Sequence, residues 1–141
     1  MSSRNGPIVI IEDDKDDQEM LKEVIEGLGY KNEIKFFENC KEGIDYLMET
    51  KDKPLLILSD INMPVMSGIE MRSKIIENDY LRQKSIPFVF LSTSSKKEYV
   101  EQAYGMMVQG YFEKPDSLGK LKEILNLIIE YWIVCKHPNM D

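Results

Sequence analysis

A chain of 141 residues, 43% of them hydrophobic, is long enough for one buried core and too short for two ordinary domains. Eighteen Lys and Arg against 25 Asp and Glu leave a net charge of −7, which repels a phosphate backbone and argues against nucleic acid as a direct partner. The opening MSSRNGPIVIIEDD has only a short apolar run ending in carboxylates, and no stretch approaches the roughly 20 apolar residues that span a bilayer, so a cytoplasmic location without membrane insertion is expected.

Short β-rich apolar runs alternate with longer segments of helical period, the pattern of a parallel sheet with helices on both faces. The first strand is read as Pro7 to Ile11. Its helix starts near Asp16, with Asp16 and Glu19 spaced as an N-cap and its N3 acid, and carries Met20, Leu21, Val24, Ile25 and Leu28 on one apolar face before Gly29. The second strand, Glu33 to Phe37, leads to a helix from about Asn39 to Thr50 with Ile44, Leu47 and Met48 inward. Leu55 to Ser59 is a continuous apolar run, as for a central strand covered on both faces, and delivers Asp60 at its carboxyl end. Ser67 and Glu70 form a capping box that opens a third helix running through Ile76.

The fourth strand, Ile86 to Leu91, runs into Ser92-Thr93-Ser94-Ser95, where Ser95 and Glu98 read as another capping box. Its helix is expected to bury Tyr99, Val100, Ala103 and Tyr104. A last strand, Gly110 to Glu113, ends in Lys114-Pro115, and a final helix spans about Ser117 to Lys136. Cys40 and Cys135 fall in helical stretches without metal-ligand spacing and read as reduced, half-buried thiols. The lone His137 reads as solvent-exposed. Met63, Met66, Met71, Met106 and Met107 read as packing or adaptable surface.

In a doubly wound sheet the ligand site lies outside the carboxyl ends of the strands, near the reversal of strand order. Glu12, Asp13 and Asp14 stand there after the first strand, Asp60 after the third, Ser92 after the fourth and Lys114 after the fifth. Clustered carboxylates repel one another, so a cation is the natural resolution. Oxygen donors point to magnesium, which keeps several waters, takes one or two carboxylates and completes its octahedron with phosphate oxygens. Asp60 is suited to accept a phosphoryl group, with Lys114 as a second positive point. The Ser92 hydroxyl could donate to a phosphoryl oxygen, and a bulky side chain could fill the space it leaves. Asp16 and Asp17 read as solvated acids favoured by a helix dipole.

The motifs VIIEDD, LILSDINMPVMSGIEM, FVFLSTSS and GYFEKP, in this order and spacing, resemble the receiver domain of bacterial two-component response regulators over nearly the whole chain. The resemblance implies a flavodoxin-like α/β fold, five parallel strands in the order 2-1-3-4-5, with residues 1–141 as a single receiver and no output domain. It implies Asp60 as phosphoacceptor from a histidine kinase, and Mg²⁺ held by Asp13, Asp60 and the backbone carbonyl of Asn62, with Glu12 acting through water. It further implies Ser92 and Tyr111 as switch residues, Lys114 as the site lysine and a cis Lys114-Pro115 bond. Signalling would run through protein contacts or onward to a phosphotransfer protein, without enzymatic turnover of other substrates. Glu12 stands where many members have aspartate, and Ser92 where threonine is usual. Asp16-Asp17, Tyr131-Trp132 and Pro138 resemble the stand-alone receivers that work with phytochrome-type kinases.

Three alternatives compete with this reading. A degenerate receiver would serve only as a protein-binding module. A phosphatase of the haloacid dehalogenase type needs a second aspartate two residues after the nucleophile, where this chain has Asn62. A flavodoxin-like FMN binder is opposed by acids after the first strand, which repel the cofactor phosphate. In the final helix Leu118, Leu121, Ile124 and Leu125 form a stripe of about 120° that can cover a sheet. From Leu127 to Cys135 only Glu130 is charged, so a homodimer through this helix and its neighbours is expected.

Overall fold

Runs rich in Ile, Leu, Val and Phe form the strands of the computed structural model, which describes residues 5–136. The elements are β1 (Ile8–Ile11), α1 (Lys15–Gly27), β2 (Ile34–Phe37), α2 (Cys40–Glu49), β3 (Leu56–Ser59), α3 (Gly68–Glu77), α4 (Asp79–Lys84), β4 (Phe88–Ser92), α5 (Lys97–Gly105), β5 (Gly110–Glu113) and α6 (Leu118–Val134). All strand pairings are parallel and the sheet runs β2-β1-β3-β4-β5, the predicted order.

Alternation along each strand divides the core into two layers. Val9, Ile11, Ile57, Phe88 and Phe90 face α2, α3, α4 and α5, while Ile8, Ile10, Leu56, Leu58, Val89 and Leu91 face α1 and α6. Every residue of β1, β3 and β4 is buried, as double coverage requires. On the first layer Arg72 is buried over the Phe88 ring and donates to the carbonyls of Met106 (3.0 Å) and Met107 (2.8 Å), tying α3 to the turn before β5. Among the described residues no helix is long and apolar enough to cross a membrane.

Several sequence readings are corrected. β4 begins at Phe88 because Pro87 has no N–H for the ladder. The short helix α4 escaped notice because six residues carry too little periodicity. Asn78 caps it, accepting from the Leu81 N–H at 3.0 Å. The cap of α1 is Asp14, whose carboxylate accepts from the N–H groups of Asp16 (2.8 Å) and Asp17 (3.2 Å), so Asp16 lies inside the first turn. α5 starts after Lys96 with no side-chain cap, since Ser94 is held in the preceding loop by Ser92 and Tyr111. Ser67 caps α3 as read, accepting from Glu70 N–H at 3.2 Å.

Met20, Met48, Tyr104 and Leu118 are exposed rather than inward, each at the edge of its helix stripe. Among the described residues all peptide bonds are trans, Lys114-Pro115 included, the lower-energy isomer by about 0.5–1 kcal/mol. His137 and Pro138 lie outside the described residues.

Cys40 is buried against the first layer, and this burial pushes its thiol up to about 12, with Glu70 and Asp13 adding in the same direction. Cys135 is half-buried at the end of α6. A thiol reagent at mildly alkaline pH is therefore expected to modify Cys135 alone in the native protein and both cysteines after denaturation. Two rapid equivalents in the native state would contradict the burial of Cys40.

Candidate functional site

The carboxyl ends of β1, β3, β4 and β5 bring together most of the side chains singled out from sequence. Glu12 continues β1, its N–H donating to the Phe37 carbonyl at 3.0 Å, and its carboxylate is only 3% exposed. Asp60 follows β3, its N–H donating to the Ile11 carbonyl at 3.2 Å and its Oδ1 accepting from Ile61 N–H at 2.7 Å, which fixes the plane of the carboxylate. Lys114 follows β5 and donates its N–H to the Ser92 carbonyl at 2.8 Å, so the ladder itself aims the lysine inward.

Gly68 opens α3 directly behind Asp60, its N–H donating to the Ile61 carbonyl at 2.9 Å. A Cβ there would stand 2.2 Å from the Asp60 carbonyl oxygen and 2.8 Å from the Phe90 ring, so only glycine permits this approach. Between them, the β3–α3 loop holds Val65 at φ 70°, fully exposed; this is a costly conformation for a β-branched residue.

The Lys114 ammonium is the meeting point. Its Nζ lies 2.5 Å from Glu12 Oε1, 3.2 Å from Asp17 Oδ2 and 3.4 Å from Asp60 Oδ2, matching its three N–H donors to three acids. Burial alone would pull the Lys114 pKa down, but the hydrogen bond with Glu12 and the fields of Asp60, Glu12 and Asp17 outweigh it and hold the pKa above its ordinary value. Glu12 is pushed up by burial, because a single ammonium shared with two other acids compensates it only in part.

Asp17 was not among the expected site residues. With Asp14 as cap it becomes the N3 residue of α1, and helical side chains lean toward the N-terminus, which brings its carboxylate over the end of β1. Placing the cap at Asp14 would have revealed this from sequence. Asp16 stays exposed, as read. Asp13 and Asn62 stand at the solvent side of the same strand ends.

Ser92 is fully buried, and its Oγ accepts from Ser94 N–H at 3.2 Å. Half-buried Tyr111 donates its hydroxyl to the Ser94 carbonyl, and burial raises its phenol, partly countered by the Ser92 hydroxyl. The loop after β4 thus links the two expected switch residues.

Among the described residues no three carboxylate, imidazole or thiol side chains form a ready metal cage. The donors expected from sequence, the Asp13 and Asp60 carboxylates and the Asn62 carbonyl, are all oxygens. That sparse set suits Mg²⁺, which retains several waters. Three acids around one ammonium also leave a surplus of negative charge for a cation to offset. The space enclosed among Glu12, Ser59, Asp60 and Lys114 is about 10 Å³, so anything larger than a water meets the site from its open side. A larger cavity of about 370 Å³ lies at the amino ends of the strands, against Arg72, Pro87 and Trp132, and no acid lines it.

Comparison with known proteins places this geometry in context. Residues 8–126 match the family described as the response regulator receiver domain. The probable methanogenesis regulatory protein FilR2 of Methanothrix harundinacea is 31% identical over 130 residues, covering 89% of this chain and 83% of FilR2. Response regulator Rcp1 of Synechocystis is 29% identical over 141 residues, covering 94% of this chain and 95% of Rcp1. The crystal structure of its Mn²⁺-bound form superposes with a TM-score of 0.80 at 27% identity, over 93% of this chain and 97% of that one. That of the phosphorylated cyanobacterial phytochrome response regulator RcpA reaches 0.84 at 28% identity, over 94% and 97%.

The raised pKa of Glu12 has a measurable sign. Its contribution to stability is complete below the ordinary value of 4.5 and is lost as pH climbs through the higher folded value. In a chelating buffer, Glu12→Gln is expected to raise the melting temperature by a few degrees near neutral pH. The gain should shrink on acidification toward about pH 5. A lower melting temperature at every pH would show that the charged form of Glu12 stabilises the fold.

Proposed function

The chain belongs to the response regulator receiver domain family, a signalling and non-enzymatic family, and from that premise we propose that it accepts a phosphoryl group from a sensor histidine kinase on Asp60. The observation that carries the proposal is the Asp60 carboxylate, 12% exposed at the end of β3 and 3.4 Å from the Lys114 ammonium. In the transfer, an Asp60 carboxylate oxygen bonds to phosphorus as the N–P bond of the donor phosphohistidine breaks. The imidazole nitrogen keeps the bonding pair and takes a proton from solvent, and the product is an acyl phosphate.

Lys114 is within reach of a phosphoryl oxygen and charged at any physiological pH. Mg²⁺ is the cofactor of this reading; Asp13, Asp60 and the Asn62 carbonyl would hold it, and Glu12 would act through water. When bound, it offsets the negative charge of the incoming group. Ser92 then donates its hydroxyl to the phosphoryl oxygen, giving up its bond from the Ser94 N–H, and Tyr111 leaves the Ser94 carbonyl to fill the space behind it. The solved relatives support this line, one described as phosphorylated and one as Mn²⁺-bound.

The signal is read in the cytoplasm through protein contacts, or passes to a phosphotransfer protein. The surface that supports a contact is α6, where Leu127, Tyr131 and Val134 are 63%, 58% and 69% exposed on one side of the helix. Their partner in this reading is a second copy of the chain, paired about a two-fold axis.

Incubation with Mg²⁺ and acetyl phosphate is expected to add one phosphate-sized mass increment to the wild type and none to Asp60→Asn. An increment in both proteins would refute Asp60 as acceptor; none in either would favour a pure binding module. A chelator is expected to abolish the increment. Turnover of a generic phosphomonoester would instead revive the phosphatase reading.

Light scattering at micromolar concentration is expected to report a dimer, and a charged residue at Tyr131 to weaken it at least tenfold. A monomer with and without phosphorylation would end the dimer reading.

A further inference from the structure

The acceptor reading leaves one close contact of the site without a role. Asp17 Oδ2 is 3.2 Å from Lys114 Nζ, slightly nearer than Asp60 Oδ2 at 3.4 Å, and its carboxylate is one-third exposed. Each acid occupies one of the three ammonium donors, and the Asp14 cap holds Asp17 in place by accepting its backbone N–H at 3.2 Å. A phosphoryl group on Asp60 brings further anionic oxygens to the same ammonium. Glu12, at 2.5 Å and buried, is the tightest of the three holds. The exchangeable donor is therefore the one facing the more exposed acid.

We propose that Asp17 is a positioning residue that draws the Lys114 ammonium toward α1 and competes with the phosphoryl group on Asp60 for it. The inference rests on the acceptor reading and deepens it: Asp17 sets how readily the site takes up its phosphoryl group. Removing its charge loosens the hold on one ammonium donor and lowers the repulsion met by an anionic donor molecule, while Glu12 still anchors the lysine. Asp16, one residue earlier, carries the same charge in the same turn without touching Lys114, and so separates this contact from the general field of the helix.

The experiment is the initial rate of the mass increment with Mg²⁺ and acetyl phosphate, measured for the wild type, Asp17→Asn, Asp17→Glu and Asp16→Asn. Asp17→Asn is expected to be faster by about 3- to 10-fold, from the loss of one charge within a few ångströms of the reacting centre. Asp17→Glu and Asp16→Asn are expected to stay near the wild type. The ¹⁵N-ammonium resonance of Lys114, visible in the wild type because its protons are held, is expected to broaden in Asp17→Asn alone. A labelled wild type with equal rates in Asp17→Asn and Asp16→Asn would overturn this inference and leave the acceptor reading standing. An unlabelled wild type would sink both.

Discussion

One buried ammonium organises this molecule. Lys114 is reached from β1 through Glu12, from α1 through Asp17 and from β3 through Asp60, and its own backbone closes the ladder between β4 and β5. Such an assembly is not a source of stability. Taking Glu12, Asp60 and a lysine largely out of water is expensive, and attraction across 2.5–3.4 Å returns that cost only when every charge is matched. Here one cation is shared among three anions, and burial, only partly offset by Lys114, makes Glu12 hold its proton more tightly than an ordinary carboxylate. The apolar layers on both faces of the sheet keep this strained arrangement folded.

Much of that frame was legible in the residues themselves. The continuous apolar run at Leu55 to Ser59 reads as a central strand, and the strand ends then name Glu12, Asp60, Ser92 and Lys114. What stayed hidden was governed by local competition among similar groups. Asp14 and Asp16 are both fit to cap a helix, and spacing alone favours the pair Asp16 and Glu19. The choice falls to Asp14 because its carboxylate reaches two N–H groups at once. The error concealed Asp17, whose direction depends on where the helix begins. At α5, Ser95 has the composition of a cap but follows a residue already tethered by Tyr111 and Ser92.

The two ends of the sheet have separate tasks. At the carboxyl ends the acids and the lysine gather. At the amino ends Arg72 clasps the carbonyls of Met106 and Met107 and Trp132 borders the larger cavity. α6 links these ends: Leu121, Leu125, Ile128 and Ile129 are sealed against the sheet while Leu127, Tyr131 and Val134 look outward.

The contact at Gly68 bears on the mechanics of Asp60. No side chain separates the first turn of α3 from the Asp60 carbonyl, so nothing between them can be compressed. Asp60 therefore rides on a stiff mount instead of a loop, and the positive φ of the β3–α3 connection falls farther out, at exposed Val65. A displacement of the Asp60 peptide would be delivered to α3 undamped, as through a crank with no play in its bearing.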